Sequence, residues 1–538
     1  MKKAFILFSI LFISMLHADA QKVTVDSDGN IYLLGLVQDS ITFADSTTIV
    51  TNNYPWESPK TYLVKLDPGG SVLWYKLFDH TVDYFNIKAD HSNNLLMATQ
   101  LMGTVELDST TVLTGYFQFL IAKLDTDGNL VWYNLSAGKS NNYYISFSVD
   151  AQDNIYTAGL YSDTFSFHGP DTIFNPSPVV KTFVAKFDSS GNNLWLKKLD
   201  GDSRWVFDID VDGSGNSVIV GEFINSLYCQ GDTINAIGGF DGYWAKFDPQ
   251  GVLIKMKRIN SSSYDAISDV GVGRSGRFSY TGNFDGDTLF IEEFPLTINS
   301  SSIPGNFVLN VNHQPSEDWI LNFTGANASK YHGVEMDSAD NTYLYTLWNG
   351  HTYNSSLNSF VGSDISNANY IIKMDSSGNA VCVVHVDNGL ISDIEVTKEE
   401  EIYVVGNFQN TLSLNGTTYA QIDNNTFLAS FDMNCNTTWT SLLPNPLGTG
   451  IHEVVNTGND ILIFPNPATN EILLSFNEYT VKSGKTSVYS IEGTKMMELD
   501  FSEAEQVALD IEHLIPGVYI IQVITDDRHT LNGRFVKI

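Results

Sequence analysis

Two short phrases recur along this 538-residue chain, and their recurrence limits the fold more than any other feature. The first reads "DSDGNIYLLG" at 26–35 and returns at 90–99, 150–159, 212–221, 273–282, 337–346 and 397–406. The second reads "KLDPGGSVLW" at 65–74 and returns at 123–132, 186–195, 246–255, 310–319, 373–382 and 430–439. Each occurs seven times, in alternation, and the first recurs every 60 to 64 residues. A fixed period of this length marks a repeat architecture with one supersecondary unit per repeat.

The third repeat shows the unit. "ISFSVD" (145–150) alternates apolar and polar residues, the period of a half-buried strand. "AQDN" turns into "IYTAGLY"; a polar excursion leads to "TFVAKFD" (182–188); "SSGN" turns into "NLWLKKL". This is a four-stranded antiparallel meander. Along its third strand Phe183, Ala185 and Phe187 share one side, as do Tyr62, Val64 and Leu66, Tyr243, Ala245 and Phe247, and Phe427, Ala429 and Phe431. That side is expected to be the buried one, and its small middle residue suits close sheet packing. One four-stranded sheet cannot cover both of its faces, whereas seven set radially can. The pattern predicts an all-β chain with a seven-bladed β-propeller over 21–443. In the second phrase Asp and Gly or Asn supply turn chemistry. Trp74, Trp132, Trp195, Trp319 and Trp439 open the fourth strand as large core-packing groups. Lys255 and Cys382 replace the tryptophan in repeats four and six, which suits packing better than a cofactor role.

The ends differ from the middle. "MKKAFILFSILFISMLHADA" has a basic start, an apolar run and a small-x-small end, so residues 1–20 read as a signal peptide cleaved between Ala20 and Gln21. No other stretch reaches the ~18 apolar residues of a spanning helix. Residues 444–460 are rich in Pro, Gly and Asn and read as a linker. Residues 461–538 hold short alternating strands and predict a small Ig-like β-sandwich.

Charge and cysteine content narrow the function classes. A net charge of −33 disfavours nucleic acid and anionic lipid. Three cysteines, Cys229, Cys382 and Cys435, are too few for a disulfide scaffold. One bond is open to them, with Cys382–Cys435 as one option, and at least one thiol stays unpaired in a monomer. "DSDGN" and "DTDGN" carry carboxylates at i and i+2, but no distal bidentate Glu follows, so the reading is turn chemistry, with calcium as the alternative. No GxSxG, HExxH, P-loop or CxxC occurs, and His80, His91, His168, His313, His332, His351 and His385 stand singly. No catalytic, cofactor or metal residue is expected.

Two resemblances follow from these residues. The phrases resemble, imperfectly, the Asp box of sialidases and the repeats of quinone-dependent dehydrogenases: the Asp67-to-Trp74 gap is seven and Gly69, Asp127 or Ser190 stands before the Gly. "DAQDNIYTAG" and "FVAKFDSSGNNLW" are more similar to the non-enzymatic β-propeller repeat of bacterial surface proteins, with repeat five ("NVNHQPSEDW") departing most. The tail resembles the type A C-terminal sorting domain of the type IX secretion system of Bacteroidetes. The marks are Pro465, Asn466 and Pro467, the turn at Gly493, Pro516 and Gly517 with Tyr519, and Phe535 and Lys537 near the end. That resemblance implies passage through the periplasm, handling by the type IX machinery, and release or attachment at the cell surface. The expected role is non-catalytic: binding of a surface glycan or protein, adhesion, or scaffolding. The alternative is a glycan-active or quinone-dependent enzyme, which three or more carboxylates or histidines clustered at the channel mouth would favour. "NNYPW" (52–56) and "SNNYY" (140–144) are candidate contact loops.

Overall fold

The computed structural model describes residues 21–537 apart from residues 38–39, 52–58, 79–84, 141–145, 170, 178, 238, 262, 285–288, 292–304, 312–317, 325–327, 349–350, 355–358, 363–367, 445–460, 465–467, 469, 477–480, 491–494, 505, 516 and 526–529. The chain is all-β: among the described residues every regular element is a strand. It divides into two compact units, Met1–Thr449 and Gly450–Ile538.

In the first unit each repeat is an antiparallel four-strand meander. Repeat one runs Lys22–Val25, Ile31–Val37, Lys60–Leu66, Val72–Phe78, paired in that order. Repeat two runs Asn86–Ala89, Leu95–Glu106, Val112–Leu124, Leu130–Leu135 in the same order. Repeat five (Asp265–Val272, Phe278–Phe284, Gly305–Val311, Trp319–Thr324) repeats the plan. Among the described residues two strands serve two repeats at once. Asn193–Val211 pairs through residues 193–199 with Lys181–Phe187 of repeat three and through residues 200–211 with Ser217–Cys229 of repeat four. Ala380–Val396 does the same for repeats six and seven.

The third strands correct one expectation. Phe183, Ala185 and Phe187 are buried, but so are Val184 and Lys186 between them. The same holds for Leu63 and Lys65, and for Trp244 and Lys246. Each sheet is covered on both faces because a neighbouring repeat packs on each. The first repeat is covered from the other end of the chain: Val23, Leu33, Tyr62 and Val64 share a cluster with Tyr403, Val405, Leu428 and Leu443 of repeat seven.

The second unit has two antiparallel sheets. One holds Ile461–Phe464, Glu471–Phe476 and Gln506–Asp510; the other holds Lys495–Ala504, Val481–Ser490, Gly517–Thr525 and Thr530–Lys537. Residues from both, including Ile472, Leu474, Leu509, Val488, Ile521 and Val523, form one core.

Candidate functional site

The recurrent residues are used up inside the fold. In the first phrase the Asp side chain closes its own turn: Asp26 Oδ1 accepts from the Asp28 and Asn30 amides at 3.1 and 2.9 Å, and the Asn30 side chain donates to Oδ2 at 2.9 Å. Asp150 is held by Gln152 and Asn154 in the same way. The lysine of the second phrase reaches the same carboxylate: Lys65 to Asp26 at 3.3 Å, Lys123 to Asp90 at 2.6 Å, Lys186 to Asp150 at 3.8 Å, all in buried settings. In the two segments read as calcium alternatives the first Asp is thus engaged in its own turn: Asp125 Oδ1 likewise accepts from the Asp127 and Asn129 amides, at 3.0 and 2.8 Å.

The tryptophans do something other than fill a sheet core. Most are half-buried, and each crosses to the following repeat. The Gly of that repeat's turn has positive φ, and a Cβ there would meet the indole ring: Gly128 against Trp74 at 3.1 Å, Gly191 against Trp132 at 2.7 Å, Gly251 against Trp195 at 3.0 Å, Gly378 against Trp319 at 2.7 Å. Trp439 of repeat seven lies on Gly70 of repeat one, at 2.6 Å by the same measure. The indole N–H adds a bond to the turn, from Trp74 to the Thr126 carbonyl at 2.9 Å and from Trp132 to the Ser189 carbonyl at 3.2 Å. Repeat six has Cys382 in the tryptophan's place, and repeat seven has Cys435 in the glycine's place, with φ of 63°. These two form a disulfide, Cα–Cα 5.8 Å. A covalent bond thus stands where five other seams have an indole on a glycine; in repeat four Lys255 holds the tryptophan's place. Cys229 is the free thiol; burial pushes it up to about 12, so it is unreactive at neutral pH.

The first strand of each repeat carries chemistry that the sequence reading missed, on a row of polar positions here called the inner row. Counted back from the first residue of each phrase, positions −3 and −1 are apolar and face the sheets; Val23, Ile209, Val270, Val334 and Ile394 are buried. Positions −4 and −2 face the other way. They read Lys22 and Thr24, Asn86 and Lys88, Ser146 and Ser148, Asp208 and Asp210, Asp269 and Gly271, Gly333 and Glu335, Asp393 and Glu395. Six carboxylates and two lysines therefore gather there, half-buried. Bulges before Asp208, Asp269 and Asp393 set these side chains on the inner row.

Most of these aspartates join one repeat to the next. Asp208 accepts from the Ser146 hydroxyl of repeat three and, at 3.0 Å, from the Val270 amide of repeat five. Asp210 accepts from Ser148 and, at 2.7 Å, from the Val272 amide. Asp269 accepts from the Val334 amide at 2.7 Å. Asp393 of repeat seven accepts from the Val23 amide and the Lys22 ammonium of repeat one, both at 3.0 Å. Burial and the Asp208 carboxylate beside it hold Asp269 protonated well above the usual carboxylate range. Burial raises Glu335 as well, with Asp210, Glu395 and Asp208 adding and Lys88 opposing. Glu395 is raised to about 7 by burial, against the pull of Lys88. Lys88 is held above the lysine range chiefly by Glu395. Tyr345 lies over Gly333, where a Cβ would fall 2.1 Å from its ring, and burial and the field of Asp269 and Asp393 raise its phenol. Among the described residues no group of three or more His, Cys, Asp or Glu is placed to hold a metal ion.

The tail motif comes together in part. Gly517 pairs with Lys537 and Tyr519 with Phe535 as rungs of one ladder, and an isolated bridge joins Ala468 to Lys537. Tyr519 is buried, and its hydroxyl donates to the Ile515 carbonyl at 2.8 Å. Pro465, Asn466, Pro467, Gly493 and Pro516 lie outside the described residues, as do Ala20, the turn of repeat five, "NNYPW" and nearly all of "SNNYY". Gln21 is buried, and its amide donates to Thr426 and Asn407 of repeat seven at 2.7 and 3.0 Å.

Comparison with known proteins decides what the tail is. Residues 462–537 match the family described as the secretion system C-terminal sorting domain. The tail is a type IX sorting domain. It directs the chain through type IX secretion to the cell surface or the medium. Among the described residues no helix is long and apolar enough to cross a membrane. The chain is also similar to a WD repeat-containing protein of Acanthamoeba polyphaga mimivirus, 25% identical over 241 residues. That match covers 37% of this chain and 17% of that protein. Among solved structures, the extracellular domain of a one-component system from B. thetaiotaomicron is 11% identical with a TM-score of 0.23, covering 96% of this chain and 80% of that one. A Synechocystis apocarotenoid oxygenase mutant is 12% identical with a TM-score of 0.31, covering 66% and 68%. Likenesses of this size assign no activity.

Proposed function

We propose that residues 21–443 form a seven-bladed β-propeller that acts without catalysis, as a binding or scaffold protein on the cell surface. In this reading residues 1–20 are a signal peptide, 444–460 a linker, and the tail an Ig-like sandwich read by the type IX machinery. The observation that carries the non-catalytic role is the commitment of the inner-row aspartates. Both oxygens of Asp208, Asp210 and Asp393 are taken by neighbouring repeats. A carboxylate engaged this way staples blades and is a poor general base. The bond from Asp393 to Val23, with Trp439 on Gly70, supports closure of blade seven on blade one.

The gathering of six carboxylates on the inner row is the feature named above as favouring a glycan-active or quinone-dependent enzyme, and this second reading draws on the groups there that keep their protons. Asp269 and Glu335 hold protons above the usual range, and Tyr345 stands beside them. The test is turnover. Purified mature chain is incubated with a polysaccharide panel and with quinone-linked alcohol oxidation assays, beside Asp269→Asn and Glu335→Gln. No product above a heat-killed control is expected. Product that disappears in both variants would establish the enzyme. Expression with and without residues 459–538 in a type IX-competent host tests the address: the intact chain should reach the surface and the truncation stay in the periplasm.

A further inference from the structure

A cleft of about 430 Å³ opens where repeats three and four meet, away from the inner row. Its floor is apolar: Leu196 of the double-duty strand and Ile173 of the short strand Thr172–Asn175 are both buried. One wall is the hairpin of Ser217–Cys229 and Asp232–Asn235, joined through Gln230 and Gly231, both with positive φ. That tip is clamped. The Gln230 amide donates to the Gly251 carbonyl at 2.7 Å, and its Oε1 accepts from the Leu253 amide at 3.1 Å. Tyr228 stands on this wall, paired in register with both Asp200 and Thr233, and the residue is 47% exposed. Lys197 and Lys198 also line the cleft, Lys197 against Gly251 beside the clamped tip and Lys198 bridged to Asp200 at 3.0 Å. Asp232 completes the rim.

The combination has a chemical meaning. A flat aromatic face beside carboxylate, ammonium and hydroxyl groups offers an apolar surface with acceptors and donors around it. A pyranose ring is built the same way, with an axial C–H face and equatorial hydroxyls that both donate and accept. Acidic and basic groups are balanced in the cleft, so it favours a neutral sugar over a charged one. The clamped hairpin means that little ordering is left to occur on binding. We infer that this cleft is a binding subsite for neutral oligosaccharides, with Tyr228 as the stacking platform and Asp232 and Lys197 as hydroxyl partners. The inference deepens the binding role proposed above and rests on it.

The test is isothermal titration of the mature chain with gluco-, manno-, galacto- and xylo-configured hexasaccharides. At least one binds, with a Kd between about 10 µM and 5 mM. Tyr228→Ala weakens it ten-fold or more, Asp232→Asn about three- to ten-fold, and Tyr133→Ala, an exposed tyrosine of repeat two, leaves it unchanged. Circular dichroism melts check that the variants fold. No binding by any hexasaccharide, preference for a uronic-acid hexasaccharide, or binding that survives Tyr228→Ala each overturns the subsite. In that last case the binding role stands and only its place is wrong; product release from the hexasaccharides would instead break the non-catalytic reading.

Discussion

Repeats three and four meet through Trp195 on Gly251, while repeats six and seven meet through Cys382 bonded to Cys435. The positions are equivalent, and the Cys382 disulfide sulfur even lies 3.8 Å from the Met433 carbonyl oxygen, the counterpart of the Thr126 carbonyl that Trp74 bonds. What differs is the source of the stability. The indole contributes buried area and one hydrogen bond in the folded state. The disulfide acts largely on the unfolded chain, by closing a loop of 53 residues. A repeat protein can therefore change the chemistry of one seam without changing its geometry, provided both partners change together.

That comparison can be broken at either seam. Cys382→Ser removes the closed loop and should cost about 4 kcal/mol, read as a lower denaturation midpoint that no longer responds to reductant. Cys382→Trp combined with Cys435→Gly should recover part of that loss, also without reductant sensitivity. A double variant no better than the single one would mean that the two seams are not interchangeable. Trp195→Ala should cost about 3–4 kcal/mol through the cavity it leaves, in oxidised and reduced protein alike, as measured by urea titration.

The inner row gives a pH signature that neither seam has. The folded state raises Glu395 from the ordinary 4.5 to about 7. Its contribution is therefore fully present below about pH 4.5 and is lost as pH rises through about 7. Glu395→Gln should match the wild type near pH 4 and melt at a higher temperature above pH 7; equal melting at both values would sink the assignment. The smallest effect is expected in the tail. Tyr519→Phe deletes one hydroxyl bond, about 1 kcal/mol, and should lower the melting temperature of the full chain's tail transition without changing surface delivery.

The turns, the strands and their order were legible because they are what the repeats share. Asp, Asn and Gly recur wherever the backbone needs a turn, and identical needs write identical letters. The seam role of the tryptophans was not legible, because a repeat pattern does not say which neighbour a side chain touches. Cys382 could be seen in the place of a tryptophan, but its partner in the place of a glycine matters only once repeats six and seven are side by side. The inner row was hidden for the opposite reason. Lys22, Asn86, Ser146, Asp208, Asp269, Gly333 and Asp393 hold one position and share almost nothing. A search for sameness passes over the places where repeats have been made different. The polar alternation two and four residues before each phrase was the available signal.

The strand Asn193–Val211 is the last edge of repeat three and the first of repeat four, with no turn between them. A tether pulling on one end of the chain cannot peel repeat three away and leave repeat four whole. Force on the shared ribbon loads both ladders at once, so the two should rupture together. In a single-molecule pulling trace the step would release about 120 residues, roughly 430 Å of contour, where an isolated repeat would give half of that. Ala380–Val396 sets the same mechanical pairing for repeats six and seven, so the molecule should come apart in fewer pieces than it has repeats.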